Sequence, residues 1–281
     1  MSDVLIPTSL DEALALLADD PELSPLAGGT DFMVEVNHGS RRPQRVLALR
    51  AVPELHGWHR DGDHVVIGAG CTYAAMEDPA FVALAPALAQ AARTVGSPQI
   101  RNAGTIGGNL ATASPAGDTL PVLMAQLAEV DVASTAGTRT MVVDELIVGV
   151  KRTVLAPDEL ITSIRIPAAD GPQEFCKIGT RNAMVISTAS VAVVLDRGAQ
   201  RVGCGLGSVT AAPTRATQAE DHAAGAIDWA RPTATGAEVA PRFGELAAAA
   251  AAPIDDHRST AAYRSHAVGV MARRALERCL S

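Results

Sequence analysis

Two pairs of adjacent glycines carry the most chemistry in this chain. In "LAGGTDF" (residues 26–32), Gly28 and Gly29 stand between an apolar run and an amphipathic one. Glycine adopts positive φ freely. The amides of residues 28–31, with Thr30 and Asp31 closing the turn, can therefore converge on an anion. A plain strand–helix turn has the same composition, so this stretch alone leaves both readings open. "RNAGTIGGNLATASPAGDTLP" (residues 101–121) repeats the chemistry and reads as a long loop. Gly107 and Gly108 free its backbone, and Thr105, Asn109 and Thr112 offer hydroxyl and amide groups to phosphate or polyol oxygens. Pro115 fixes a turn after Ser114. Asp118 is the loop's only acid. A carboxylate is misplaced against a phosphate, so its natural partner is a hydroxyl or a ring N–H. Neither stretch is a phosphate loop of the Gly-Lys-Ser/Thr kind or a clean G-x-G-x-x-G. "GCGLGS" from Gly203 reads as glycine-rich strand. Two glycine turns without a lysine between them suggest a pyrophosphate held mainly by backbone amides.

Other reactive residue types point to structure. The four cysteines (Cys71, Cys176, Cys204, Cys279) form no C-x-x-C pair and read as free thiols of a reducing cytoplasm. An iron–sulfur cluster or other metal held wholly by this chain is not expected. The seven histidines are scattered, without a Cys or Ser at catalytic spacing, and no catalytic residue is assigned. "DDHR" (residues 255–258) reads as a helix N-terminus with acids in its first turn.

The chain must position those turns with 281 residues, enough for one large or two ordinary domains. Hydrophobic residues make up 48% and aromatics 3%, so the core is aliphatic. A net charge of −8 argues against nucleic acid and anionic membranes, which need clustered Lys and Arg. There is no secretory signal pattern and no apolar run long enough to span a membrane.

Residues 1–55 read as a strand–helix–strand–helix–strand unit. Ser9 is a candidate N-cap, with Glu12 completing a capping box. Strands follow at "HVVIG", on both sides of Gly137 and at "ELITSIRIP". Helices are expected at "PALAQAART", ending near Gly96, and at "TLPVLMAQL". "AADGPQ" is a boundary near residue 172. Beyond it come "EFCKI", "STASVAVVLD" and "RVGCGLGS" as strands, then a helical, alanine-rich stretch from about Thr217. The last helix carries its basic residues near its end.

"AGGTD", "RNAGTIGGNLATASPAGDTLPVLMA" and "DDHRSTAAYRSHAVGVMARRAL" together resemble the FAD-binding medium subunits of the molybdenum hydroxylases, the family of xanthine and carbon monoxide dehydrogenases. The resemblance spans essentially the whole chain. It implies a vanillyl-alcohol-oxidase-type α+β fold, with an FAD-binding domain over 1–172 (subdomains about 1–55 and 56–172) and a smaller α+β C-terminal domain over 173–281. It implies that Ala27, Gly28, Gly29, Thr30 and Asp31 form a first pyrophosphate loop. Thr105, Gly107, Gly108, Asn109, Thr112, Ser114 and Asp118 would line a second, with Asp118 on the ribityl or adenosine side. Leu160 or Ile161 would pack near the flavin or adenine, and Lys177 would approach the flavin ring, where a cation favours the reduced anion. Relatives that attach flavin covalently carry a His in the first loop. Thr30 and Asp31 stand there here, which implies noncovalent FAD.

The resemblance further implies an electron-transfer subunit in the cytoplasm. Its partners would be a large subunit with the molybdenum cofactor and a small subunit with [2Fe–2S] clusters, in a dimer of heterotrimers. "RNAMVIS" has Met184 and Val185 where NAD-using relatives carry acids, so the terminal acceptor stays open. A stand-alone FAD reductase or oxidase would instead need an acid or base over the flavin and a substrate pocket in this chain. A non-catalytic scaffold would bind FAD without its being reduced.

Overall fold

The computed structural model describes residues 3–231 and 236–281. The chain opens with β1 (Asp3–Leu5), α1 (Leu10–Asp19), β2 (Ser24–Leu26), α2 (Phe32–Asn37) and β3 (Arg45–Ala48). The three strands form a parallel sheet in the order β1-β3-β2, the alternating unit expected of residues 1–55. Ser9 caps α1, its hydroxyl accepting from the Glu12 amide at 3.2 Å. The Glu12 carboxylate closes the box one residue early, accepting from the Thr8 amide at 2.7 Å.

The second unit runs through β4 (Trp58–Asp61), β5 (His64–Gly68), α3 (Pro79–Leu84), α4 (Pro86–Thr94), α5 (Pro98–Ala103), α6 (Ile106–Thr112) and α7 (Leu120–Ala125). It continues with β6 (Glu129–Ser134), β7 (Gly137–Val142), α8 (Val143–Leu146), β8 (Ile147–Gly149), β9 (Arg152–Thr153) and β10 (Leu160–Pro167). An antiparallel sheet in the order β4-β5-β10-β6-β7 carries the helices, while β8 and β9 pair as a hairpin. Here the structure corrects the sequence reading. Residues 101–121 are not one long loop, because the end of α5, all of α6 and the start of α7 lie within it. Ser97 caps α5 with Pro98 at its first position, and the Thr105 hydroxyl caps α6 by accepting from the Gly108 amide at 3.1 Å. The glycines lie inside α6. A Cβ at Gly107 would sit 2.5 Å from that of Ala69, so glycine lets the helix lie against the end of β5.

The third unit contains β11 (Gln173–Ile178), β12 (Ala189–Asp196), β13 (Arg201–Gly207), β14 (Thr214–Arg215), α9 (Thr217–Ala226), α10 (Gly236–Ala250) and α11 (Ala261–Cys279). Its four strands form an antiparallel sheet in sequence order. β12 is buried along nearly its whole length because both faces are covered. Val191, Val193 and Leu195 meet α9, α10 and α11, while Ala192 and Val194 join the core of the second unit. The helical stretch from Thr217 is observed, except that residues 232–235 lie outside the described residues. "DDHR" does not form the first turn of α11. That helix begins at Ala261 with Thr260 as N-cap, because Asp255 and Asp256 fold the preceding turn, accepting from the amides of Ala261, Arg258 and Ser259.

Candidate functional site

β2 delivers the first glycine turn to the second unit. Gly28 lies so close to the end of α5 that a Cβ there would stand 1.9 Å from the Ala103 carbonyl oxygen. Gly29 takes the left-handed conformation at φ 72°, which glycine adopts without steric cost. Among the described residues, the amides of Gly28, Gly29, Thr30 and Asp31 donate to no protein acceptor. Such a set is a ready anion cradle. The turn is half-buried, and Asp31 is exposed.

The second segment works differently from the amide cradle expected of it. The amides of Ile106, Gly107 and Gly108 are already used, donating to the Cys71 carbonyl, the Ala69 carbonyl and the Thr105 hydroxyl. What this segment offers is side chains and the turn after α6. Asn109 is fixed by accepting from the Thr119 hydroxyl at 2.5 Å. Ala113 ends the helix in the left-handed conformation, φ 48°. Ser114 shapes the turn that follows, its carbonyl accepting from Gly117 and its hydroxyl from Ala116. The Thr112 hydroxyl makes no hydrogen bond among the described residues.

Asp118 closes the turn and is 7% exposed. Its Oδ2 accepts from Lys177 Nζ at 2.5 Å and from the Thr94 hydroxyl at 3.3 Å. Its Oδ1 is buried with no partner. Burial pushes its pKa up to about 6 against the pull of Lys177 and Thr94. The hydroxyl partner was expected for Asp118. The ammonium was not, because Lys177 lies on β11 in another unit, 59 residues along the chain.

Three residues passed over in the sequence complete the site. Tyr73 is 5% exposed, and its amide donates to the Gly104 carbonyl. Its ring packs on Gly104, which in turn lies against Gly28, and burial raises its phenol pKa, with the carboxylates of Asp118 and Asp31 adding to the effect. Lys151, between β8 and β9, pairs with Glu35 on α2 at 2.7 Å and donates its amide to the Ala113 carbonyl. It thus ties the helix after the first turn to the end of α6. Thr94 accepts from Lys177 through its carbonyl at 3.2 Å, and its hydroxyl stands between the Ala91 carbonyl at 2.8 Å and Asp118 at 3.3 Å. The only hint of Tyr73 was its place in "GAGCTYAAM", as one of two tyrosines in the chain. Leu160 and Ile161 lie on β10 with their side chains in the core, Leu160 against the first unit and Ile161 in the second. Neither is drawn into the Asp118 cluster.

The donor set matches a dinucleotide such as FAD on observations of this chain. Free amides at 28–31 suit a pyrophosphate, the Thr112 hydroxyl suits polyol oxygens, and the orphaned Asp118 Oδ1 lacks a donor that such a ligand carries.

Comparison with known proteins agrees. Residues 1–169 match the FAD binding domain in molybdopterin dehydrogenase, and residues 174–279 match the CO dehydrogenase flavoprotein C-terminal domain. The nicotine 6-hydroxylase medium subunit of Paenarthrobacter nicotinovorans is 32% identical over 278 residues, covering 96% of this chain and 94% of that one. The carbon monoxide dehydrogenase medium chain of Afipia carboxidovorans is 33% identical over 284 residues, covering 97% and 94%. The solved structure of reconstituted CO dehydrogenase from Oligotropha carboxidovorans superposes with a TM-score of 0.87 at 31% identity, over 100% of this chain and 98% of that one. The α+β architecture, with an FAD-binding domain followed by a C-terminal domain on an antiparallel sheet, is that of these medium subunits. The chain belongs to the FAD-binding medium subunits of the molybdenum hydroxylase family.

Proposed function

We propose that this chain is the cytoplasmic electron-transfer subunit of a molybdenum hydroxylase and holds noncovalent FAD between its two glycine-bearing segments. The observation that carries the reading is the presence together of unsatisfied donors at 28–31 and an unsatisfied, buried acceptor at Asp118 Oδ1. The amides of residues 28–31, led in by Ala27, hold the pyrophosphate. Thr112, Ser114 and Asn109 line the second side, on a backbone fixed by Thr105, Gly107 and Gly108. Asp118 orients the ligand through a donor, and Lys177 supplies positive charge from the third unit. Leu160 and Ile161, buried in the cores of the first and second units, steady β10 rather than touch the ligand. When bound, FAD supplies the interchange between one-electron and two-electron transfer. The protein binds, orients and shields it, and needs no nucleophile or general base of its own.

The division that follows is 1–172 for the FAD-binding domain and 173–281 for a C-terminal domain that closes it. The partners are a large molybdenum-cofactor subunit and a small [2Fe–2S] subunit, assembled as a dimer of heterotrimers.

The test is flavin content. The purified chain is expected to show visible flavin absorbance and to release FAD into the supernatant on acid precipitation. Gly28→Ala should lose most of it, since its Cβ has backbone where space is needed. A yellow pellet would overturn noncovalent attachment. A colourless wild-type chain that does not take up added FAD would overturn the reading itself.

A further inference from the structure

Arg264, in the first turn of α11, is 3% exposed, far from any solvent-facing role. One arm of its guanidinium, Nη2, donates to Asp256 Oδ1 at 2.5 Å. The other, Nη1, donates to the Ser208 carbonyl at 2.8 Å, across 56 residues of sequence. Ser208 directly follows β13 and is held in the left-handed conformation, φ 63°. A non-glycine residue persists there only when its surroundings hold it. What holds it is Arg264 on its carbonyl and, on the other side, its own amide, which donates to the Pro115 carbonyl at 2.8 Å. Pro115 lies in the turn 113–118, between Ser114 and Asp118.

We propose that Arg264 is a positioning residue for the cofactor. Through Ser208, and steadied by Asp256, it sets the turn that carries Ser114 and Asp118. The "DDHR" turn and α11 thereby act on the FAD site from the far side of the C-terminal sheet. A local role would need only the Asp256 arm, which fastens the turn before α11 to the helix. The second arm ends on a left-handed residue whose amide holds the cofactor turn. This inference rests on the reading that residues 113–118 hold FAD.

The experiment uses the full-length chain, freed of FAD, with Arg264→Lys and Asp256→Asn. Lysine keeps the charge but offers a single nitrogen, so it cannot reproduce the two-armed planar fork that spans Ser208 and Asp256. Glu220→Gln serves as control. Glu220 is a buried carboxylate of the same unit, ion-paired to Arg215, and has no bond to residues 113–118. Two quantities are read: the FAD dissociation constant at a temperature where every variant is folded, and amide hydrogen exchange across residues 112–119 and at Ser208 in the FAD-free chain. Arg264→Lys is expected to weaken FAD by about tenfold and to speed that exchange, because a cradle no longer preorganised must be ordered on binding. Asp256→Asn should shift both in the same direction by less. Glu220→Gln should lower the melting temperature and leave both readouts at wild-type values. If Arg264→Lys matches wild type, or if Glu220→Gln shifts both readouts equally, the positioning role is overturned. A wild-type chain that does not bind FAD would sink the functional reading instead, and the exchange comparison would still decide the Arg264–Ser208–Pro115 link.

Discussion

Asp118 has one oxygen paired to Lys177 and Thr94 and the other bare and buried. Its pKa is about 6 in the fold against an ordinary 3.8. Between those values the folded chain keeps a proton that the unfolded chain has shed. Stability is therefore lost as pH rises through that window. Asp256 works the other way. The Arg258 amide and Arg264 hold it near 2, so its contribution is present above the ordinary carboxylate range and lost as pH falls through about 2. Asp118→Asn should abolish the first slope. Urea midpoints of wild type and variant, taken from about pH 3 to about pH 7, should give a wild-type-minus-variant difference that falls with pH, steepest midway between 3.8 and about 6 and level above that. Adding FAD should move the centre down, since a donor on Oδ1 favours the ionised form. A flat or rising difference would contradict the burial argument. None of this could be read along the sequence. Asp118 stood out as the loop's single acid, but its ion pair depends on how the third unit's sheet docks on the second unit, β11 against α4 and β13 against α7.

That contact is a matter of elements. β13 alternates two functions along its length. Val202, Cys204 and Leu206 pack towards α9, α10 and α11, and Gly203, Gly205 and Gly207 face α7. A Cβ at Gly205 would stand 1.8 Å from the Pro121 carbonyl oxygen, and one at Gly203 would stand 2.0 Å from that of Ala125. The glycines let a helix of the second unit lie directly on the third unit's sheet, and Arg201 completes the fit by donating to the Ala125 carbonyl at 2.9 Å. Gly205→Ala should therefore push α7 away and cost about 1–3 kcal/mol, with weaker FAD binding because Asp118 precedes that helix. Gly225→Ala, at a helical glycine with open space around it, should be neutral or stabilising by up to about 1 kcal/mol. Denaturant melts of both variants check this; equal effects would mean that helix–sheet contact is not the reason for the glycines. "GCGLG" was readable as glycine-rich strand, but its glycines were not readable as a docking face. The strands, the Ser9 cap and the terminal helices follow from local pattern. The 101–121 stretch misled because Gly107 and Gly108 read as loop, when the Thr105 cap and close packing against Ala69 place them in a helix.

At the scale of the whole molecule, the proposed FAD site draws on every unit. The first gives the amide turn, the second the side-chain turn, and the third Lys177 and the brace through Ser208. Such a site binds tightly only when all three are docked, so FAD should protect the entire chain against unfolding rather than one domain. The same construction bears on where chemistry occurs. Among the described residues no three His, Cys, Asp or Glu side chains gather into a metal-holding group. Cys71 and Cys204 are buried, with burial raising their thiol pKa, which suits packing rather than reaction. If the chain is a relay, electrons must reach its flavin from a partner. In the assembled complex under anaerobic conditions, the organic substrate should bleach the flavin absorbance. The isolated FAD-loaded chain, mixed with the same substrate, should stay oxidised until a small reductant is added. Bleaching of the isolated chain would make it an enzyme in its own right. A complex whose flavin stays oxidised while its substrate is hydroxylated would make this chain a scaffold. Rapid mixing followed in the flavin band distinguishes all three outcomes, because each predicts a different pairing of complex and isolated chain.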